Sequence, residues 1–161
     1  MLKRPLCVTI AQPNEVRLYR ASGASISRER IEHIARAKRV YRQKREKAMK
    51  EKTIKELAVD LTVEATFACD QIKGKTVFTN QLLRSCSSIG ANAHEAKYAQ
   101  SKADFISKLE IALKECYETE YWLELLYKIG ALDPMRYSEL NEMCGTIRRK
   151  LIASVTTAKK N

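Results

Sequence analysis

Gly74-Lys75-Thr76 ends like a phosphate-binding loop, a string whose residue types suit nucleotide chemistry. Such a loop needs a second glycine five positions earlier and a preceding strand, because the backbone N–H groups of a Gly-rich turn cradle the phosphates. The residue five positions earlier is Cys69, and the pattern before it is helical, so Gly74 is read as a helix stop. A di-metal site in a helix bundle takes Glu-x-x-His on two helices. His33 and His94 are the only histidines, and neither has Glu three positions before it. The five cysteines, Cys7, Cys69, Cys86, Cys116 and Cys144, are widely spaced and form no C-x-x-C pair. That spacing disfavours a zinc knuckle or a disulfide framework and fits a reducing compartment. No catalytic residue, metal site or cofactor is expected, and an enzyme is the least favoured function.

Polar and aromatic residues at helical spacing leave contact chemistry. Glu110, Lys114 and Glu118 stand four apart and read as a solvated ion-pair ladder. Asn92 and Glu95 lie among small residues inside a helix, where a structural hydrogen bond across the bundle is the simpler reading. Arg84 either pairs with an acid of a neighbouring helix or contacts a phosphate. Tyr117, Tyr121 and Trp122 fit a core or a subunit interface better than a base-stacking surface. If the bundle bound RNA, its few cations, such as Lys97, Lys102, Arg148, Arg149 and Lys150, would share one exposed face. Scattered cations would favour a protein-interaction module without nucleic-acid binding.

These residues need helices to position them, and four are legible. Thr53-Ile54-Lys55-Glu56 is a capping-box pattern. After it, Leu57, Leu61, Ala65, Ala68 and Ile72 recur at three-four spacing up to Gly74, predicting a helix over about 53–73. A second, over about 77–99, carries Leu82, Cys86, Ile89, Ala93 and Ala96. Phe105, Leu109, Ala112, Cys116, Thr119, Leu123 and Leu126 mark a third over 102–129, opened by Ser101 with Asp104 and stopped at Gly130. Asp133-Pro134 caps a fourth over 134–158, with Leu140, Cys144, Ile147 and Leu151 on its stripe. Four amphipathic helices with short loops predict an all-α, antiparallel up-down-up-down four-helix bundle. The second helix has Ser85, Ser87, Ser88, Gly90, Ala91 and Ala93 around most of its circumference, which suits close packing on more than one face. The third is apolar or aromatic around much of its surface. That excess, with Gly90, Asn92, Glu95, Tyr121 and Trp122 as interface or structural residues, predicts an oligomer.

Charge divides the chain of 161 residues, whose net charge is +11. Residues 1–52 hold 15 Lys and Arg against 5 Asp and Glu, whereas residues 53–161 hold 15 against 14. The first segment is a basic extension, aperiodic over 1–27 and marginally helical after a Ser27 cap. Any polyanion affinity belongs mainly to it. No apolar run approaches the roughly 18 residues needed to span a bilayer, and Gln12, Pro13, Asn14 and Glu15 break the first apolar stretch. A cytoplasmic location with no membrane partner is expected. Met49 reads as an ordinary start leading into the capping box, and Arg45-Glu46-Lys47 is encodable by a purine-rich run. Residues 1–48 are therefore expected to be dispensable, with a basic RNA-capturing arm that folds on binding as the rival.

Asn80-Gln81-Leu82-Leu83-Arg84-Ser85 and Ser88-Ile89-Gly90-Ala91-Asn92-Ala93-His94-Glu95-Ala96 resemble a known family. So do Gln100-Ser101-Lys102-Ala103-Asp104-Phe105-Ile106, Ala112-Leu113-Lys114-Glu115 and Glu118-Thr119-Glu120-Tyr121-Trp122-Leu123. Together they are similar to the bacterial four helix bundle proteins encoded in intervening sequences of large-subunit ribosomal RNA genes. Relatives of those proteins include the accessory variability determinants of diversity-generating retroelements. The resemblance covers about Thr53–Asn161 and implies a homopentameric scaffold that binds structured RNA or an RNA-handling partner such as a reverse transcriptase. The nearly neutral bundle departs from the retroelement branch, whose basic surface binds nucleic acid.

Overall fold

A computed structural model describes residues 28–160. Cys7, the Ser27 cap and the aperiodic stretch 1–27 lie outside the described residues. Every element within them is helical: α1 (Arg28–Glu51), α2 (Ile54–Asp70), α3 (Thr76–Glu95), a 3-10 turn (Ala96–Tyr98), α4 (Lys102–Lys128) and α5 (Pro134–Lys160). The chain divides between Arg42 and Gln43, within α1, and the unit from Gln43 onward holds the core.

Capping explains the boundaries. Thr53 Oγ1 accepts from the Glu56 N–H at 3.2 Å while the Thr53 N–H donates to Glu56 Oε2 at 2.8 Å, so the capping box is formed. α2 then stops at Asp70, short of the expected end, and Gly74 sits in the following turn at φ +71°. α3 gives way to the 3-10 turn after Glu95, before α4 restarts behind Ser101, whose Oγ accepts from the Asp104 N–H at 3.1 Å. Gly130, at φ +70°, lets the chain fold back after α4. The N–H groups of Ala131 and Leu132 return to the Leu126 carbonyl at 2.9 and 3.1 Å. Asp133 Oδ1 accepts from Met135 and Arg136 N–H at 3.0 and 3.1 Å and opens α5 at Pro134.

Within this unit α3 packs on α2 and α4, and α5 packs on α4 and α2. Cross-helix partners fix the directions. Along α3 and α4, Phe78 meets Trp122, Ser85 meets Thr119 and Glu95 meets Lys108, so one ascends as the other descends. Tyr127 with Tyr137, Glu120 with Arg148 and Glu110 with Lys159 show the same for α4 and α5. Leu57, Leu61, Leu82, Ile89, Leu123, Leu126, Leu140, Ile147 and Leu151 are fully buried between them, on the expected stripes. Burial of such side chains drives folding at roughly 1.5–3 kcal/mol each.

Candidate interaction surfaces

Where helices touch, the polar residues singled out above serve the protein's own packing. Arg84 is paired with Glu118 of α4, and its Nε donates to Gln81 Oε1 at 3.1 Å. Glu118 also accepts from Trp122 Nε1 at 3.3 Å, and that indole stacks on Phe78 with ring centroids 6.2 Å apart. Beneath this pair Thr119 Oγ1 lies 2.9 Å from Ser85 Oγ, both side chains being buried. Among the described residues Asn92 makes no bond across the bundle. Its Nδ2 donates one turn back to the Ser88 carbonyl at 2.9 Å, because small neighbours leave that carbonyl within reach. The surface ladder on α4 is also replaced. Glu110 pairs with Lys159 and Glu118 with Arg84, each on an adjacent helix, and Lys114 has no ion-pair partner among the described residues. Gly90 faces α2 within the same chain, where a Cβ would stand 3.4 Å from Ala58 Cβ. Glu95 bridges to Lys108.

The bundle's candidate cations do not form one face. Arg148, Arg149 and Lys150 are consecutive on α5 and fan around it, as the roughly 100° step of a helix requires. Arg148 Nε donates to Glu120 Oε1 at 2.8 Å with its guanidinium 5.7 Å from the Tyr117 ring centroid. That carboxylate pushes the Arg148 pKa further above its ordinary value. Lys150 Nζ donates to the Lys52 carbonyl at 2.9 Å, and Arg149 turns outward to Thr146 Oγ1 at 2.9 Å. Lys97 and Lys102 are exposed at the corner joining α3 to α4.

Two apolar stripes are exposed, that of α4 at tyrosines the sequence offered as core or interface residues and that of α2 at residues the sequence reading did not single out. Val59, Val63 and Phe67 recur every four residues along α2 at 52, 45 and 58% exposure. Tyr117 and Tyr121 do the same on α4, at 51 and 58% exposure. Because α2 and α4 each pack on α3 and α5, their outward faces look in opposite directions. A four-residue step of Val, Val and Phe was visible in the sequence, but the stripe of Leu57, Leu61 and Ala65 on the other side of the helix claimed the core. Two buried polar atoms, His94 Nδ1 and Glu115 Oε2, lack hydrogen-bond partners. In α1, taken by itself, Arg36, Arg39, Lys44 and Lys47 are exposed.

No group of three or more His, Cys, Asp or Glu side chains among the described residues is placed to hold a metal ion. No described helix is long and apolar enough to cross a membrane. The sequence model of the 23S rRNA-intervening sequence protein family matches residues 50–153. The chain belongs to that family. Membership accounts for the motif string along α3 and α4, and the match begins at Lys50, just before α1 ends. Among solved structures, the chain is similar to a protein of unknown function from the S23 ribosomal protein family of Bacteroides thetaiotaomicron VPI-5482. The two are 40% identical, with a TM-score of 0.61, over 64% of this chain and 98% of that chain. No curated protein matches.

Proposed function

We propose that this member of the 23S rRNA-intervening sequence protein family is a non-enzymatic cytoplasmic scaffold. It folds as an up-down-up-down four-helix bundle, assembles into a homo-oligomer, and binds structured RNA or an RNA-handling partner such as a reverse transcriptase. Five copies is the number implied by the family resemblance. The observation that carries the reading is the Val59, Val63 and Phe67 stripe, left exposed on a helix whose other side fills the core. An apolar row of that length beside a complete core suits a subunit contact. Tyr117 and Tyr121, on the opposite side, offer a different surface, so copies would meet head to tail and close a ring. The RNA half draws on the family and on the excess of cations in residues 1–52. The ion pairs holding Arg84 and Arg148 favour the alternative, a protein-interaction module without nucleic-acid binding.

Light scattering on the full chain is expected to report several times the protomer mass, and Val63→Glu with Phe67→Glu to lower it while leaving helicity unchanged. A folded monomer of the unaltered chain at micromolar concentration would sink the scaffold. RNA affinity is expected to fall steeply between about 50 and 200 mM salt, since each neutralised phosphate releases counterions. Converting Arg36, Arg39, Lys44 and Lys47 to Gln is expected to flatten that dependence. Unchanged affinity and slope would take the contact away from α1, and no measurable RNA binding by the unaltered chain would move the reading to the protein-interaction alternative.

A further inference from the structure

The bundle is electrically polarised along its length, although its total charge is close to zero. Glu95 with Lys108, Glu110 with Lys159, Lys150 with the Lys52 carbonyl and Lys97 near Glu56 tie together one end of the unit. That end is built from the start of α2, the 3-10 turn, the start of α4 and the end of α5. Its segments, residues 52–60, 91–110 and 150–160, carry eight lysines against five carboxylates. The opposite end, residues 64–81 and 120–143, carries four cations against seven carboxylates. At the basic end Lys108, Lys159 and Lys52 are held by Glu95, Glu110 and Asp60. Lys55, Lys102 and Lys160 have no ion-pair partner among the described residues, and Lys97 is exposed at the corner.

An aromatic ring stands among these cations. Tyr98, between Lys97 and Lys102, is 74% exposed, more than any other large apolar side chain among the described residues. His94 meets its ring in a T-shaped contact at 5.3 Å, which limits the orientations the ring samples. Apart from that edge contact Tyr98 buries little in the fold, so most of its ring faces solvent. Cations tracking a phosphate backbone around an exposed ring on which a base can stack are the two parts of a single-strand-binding surface. Duplex RNA would use the lysines but not the ring, since its bases are already stacked.

We propose that this end of the bundle binds an unpaired segment of RNA, with one base stacked on Tyr98 and the flanking phosphates held by Lys97 and Lys102. The proposal deepens the RNA half of the reading above and adds contact residues other than the cations of α1. It is tested in the full chain with a short single-stranded oligouridine and a duplex of equal length. Tyr98→Ala is expected to weaken single-strand binding about tenfold with the salt slope unchanged. Tyr98→Phe is expected to retain it. Lys97→Gln with Lys102→Gln is expected to lower the salt slope by about 1.4, since each of the two phosphates left unneutralised on a single strand removes roughly 0.7. Lys73→Gln with Lys75→Gln, at the acidic end, is expected to change neither. Ultraviolet cross-linking of the bound oligouridine is expected to mark the peptide containing Tyr98. Equal binding by Tyr98→Ala, or a duplex preference insensitive to Tyr98, would overturn the stacking surface. Equal effects of the Lys73/Lys75 and Lys97/Lys102 pairs would overturn the placement. Loss in the α1 variant alone would uphold RNA binding and refute this site, whereas loss in the Tyr98 and Lys97/Lys102 variants alone would uphold this site and refute the contact by α1.

Discussion

Cys86, Cys116 and Cys144 come from three different helices and lie buried at the same level of the core, with the Cys144 thiol donating to the Cys116 carbonyl at 3.4 Å. Burial pushes the Cys86 thiol up to about 12, and the Cys116 thiol beside Cys144, with burial, raises that group as well. Thiolate is the reactive form, so Cys86 and Cys144 are inert packing groups in the folded chain, and Cys116 is shielded by its complete burial. Alkylation at pH 8 is expected to leave Cys86, Cys116 and Cys144 unmodified in native protein and to label them in denaturant, read by peptide mass. Labelling in the native state at the denatured rate would disprove their burial. The raised value also sets a pH dependence. From about pH 9 to about 12 the unfolded chain releases the Cys86 proton while the native chain keeps it, so the native state loses stability as pH rises. One thiol contributes about 1.4 kcal/mol per pH unit in that window. Cys86→Ala is expected to flatten the fall of the thermal midpoint above pH 9 relative to the unaltered chain.

Among the elements, α3 departs most from good helix composition, and its neighbours explain why. Ser85 pairs with Thr119, Ser88 receives Asn92, and Gly90 rests against Ala58, which is itself fully buried. Small side chains bring α2 and α3 close, and the packing offsets the roughly 1 kcal/mol helix penalty of a glycine. A methyl group at this position would make ordinary contact, whereas a larger side chain has no room. Gly90→Ala is expected to change stability by no more than about 1 kcal/mol. Gly90→Leu is expected to cost about 1–3 kcal/mol through overpacking. Both effects are measurable by denaturant unfolding of the protomer, and a Gly90→Leu chain as stable as the original would show that α2 and α3 do not meet there.

At the scale of the molecule, the core begins before the family match does. Met49, in the last turns of α1, is 7% exposed and packs with the core cluster, while the other α1 side chains described are exposed. The unit from Gln43 onward contains every described buried residue, so removing residues 1–42 is expected to leave the thermal midpoint unchanged. Met49→Ala is expected to lower stability by about 2 kcal/mol or more, through lost burial and the cavity left behind. Calorimetry on both chains checks this, and a large loss on removing residues 1–42 would mean that they contribute to the core. The same truncation is expected to reduce RNA affinity, because it removes Arg36, Arg39 and the other cations of the first 42 residues.

Elements and core followed from local chemistry alone. Thr53 and Glu56 three residues apart form a cap, Gly130 and Asp133-Pro134 end one helix and start another, and leucines at three-four spacing need a shared interior. Such signals are read within a turn or two of chain, and helical periodicity makes them redundant. The surfaces were decided by the tertiary structure. Whether Arg84 met a carboxylate or a phosphate depended on Glu118, 34 residues away, coming opposite it. Lys97, Lys102 and Lys160 share an end because the end of α3, the start of α4 and the end of α5 meet there, as Glu95 with Lys108 and Glu110 with Lys159 record, a relation no local window contains. The stripes of α2 and α4 are apolar in the sequence, yet exposure is a property of what the other helices leave uncovered. Side-chain type is local, while the neighbour that covers, pairs or abandons it is chosen by packing across the bundle.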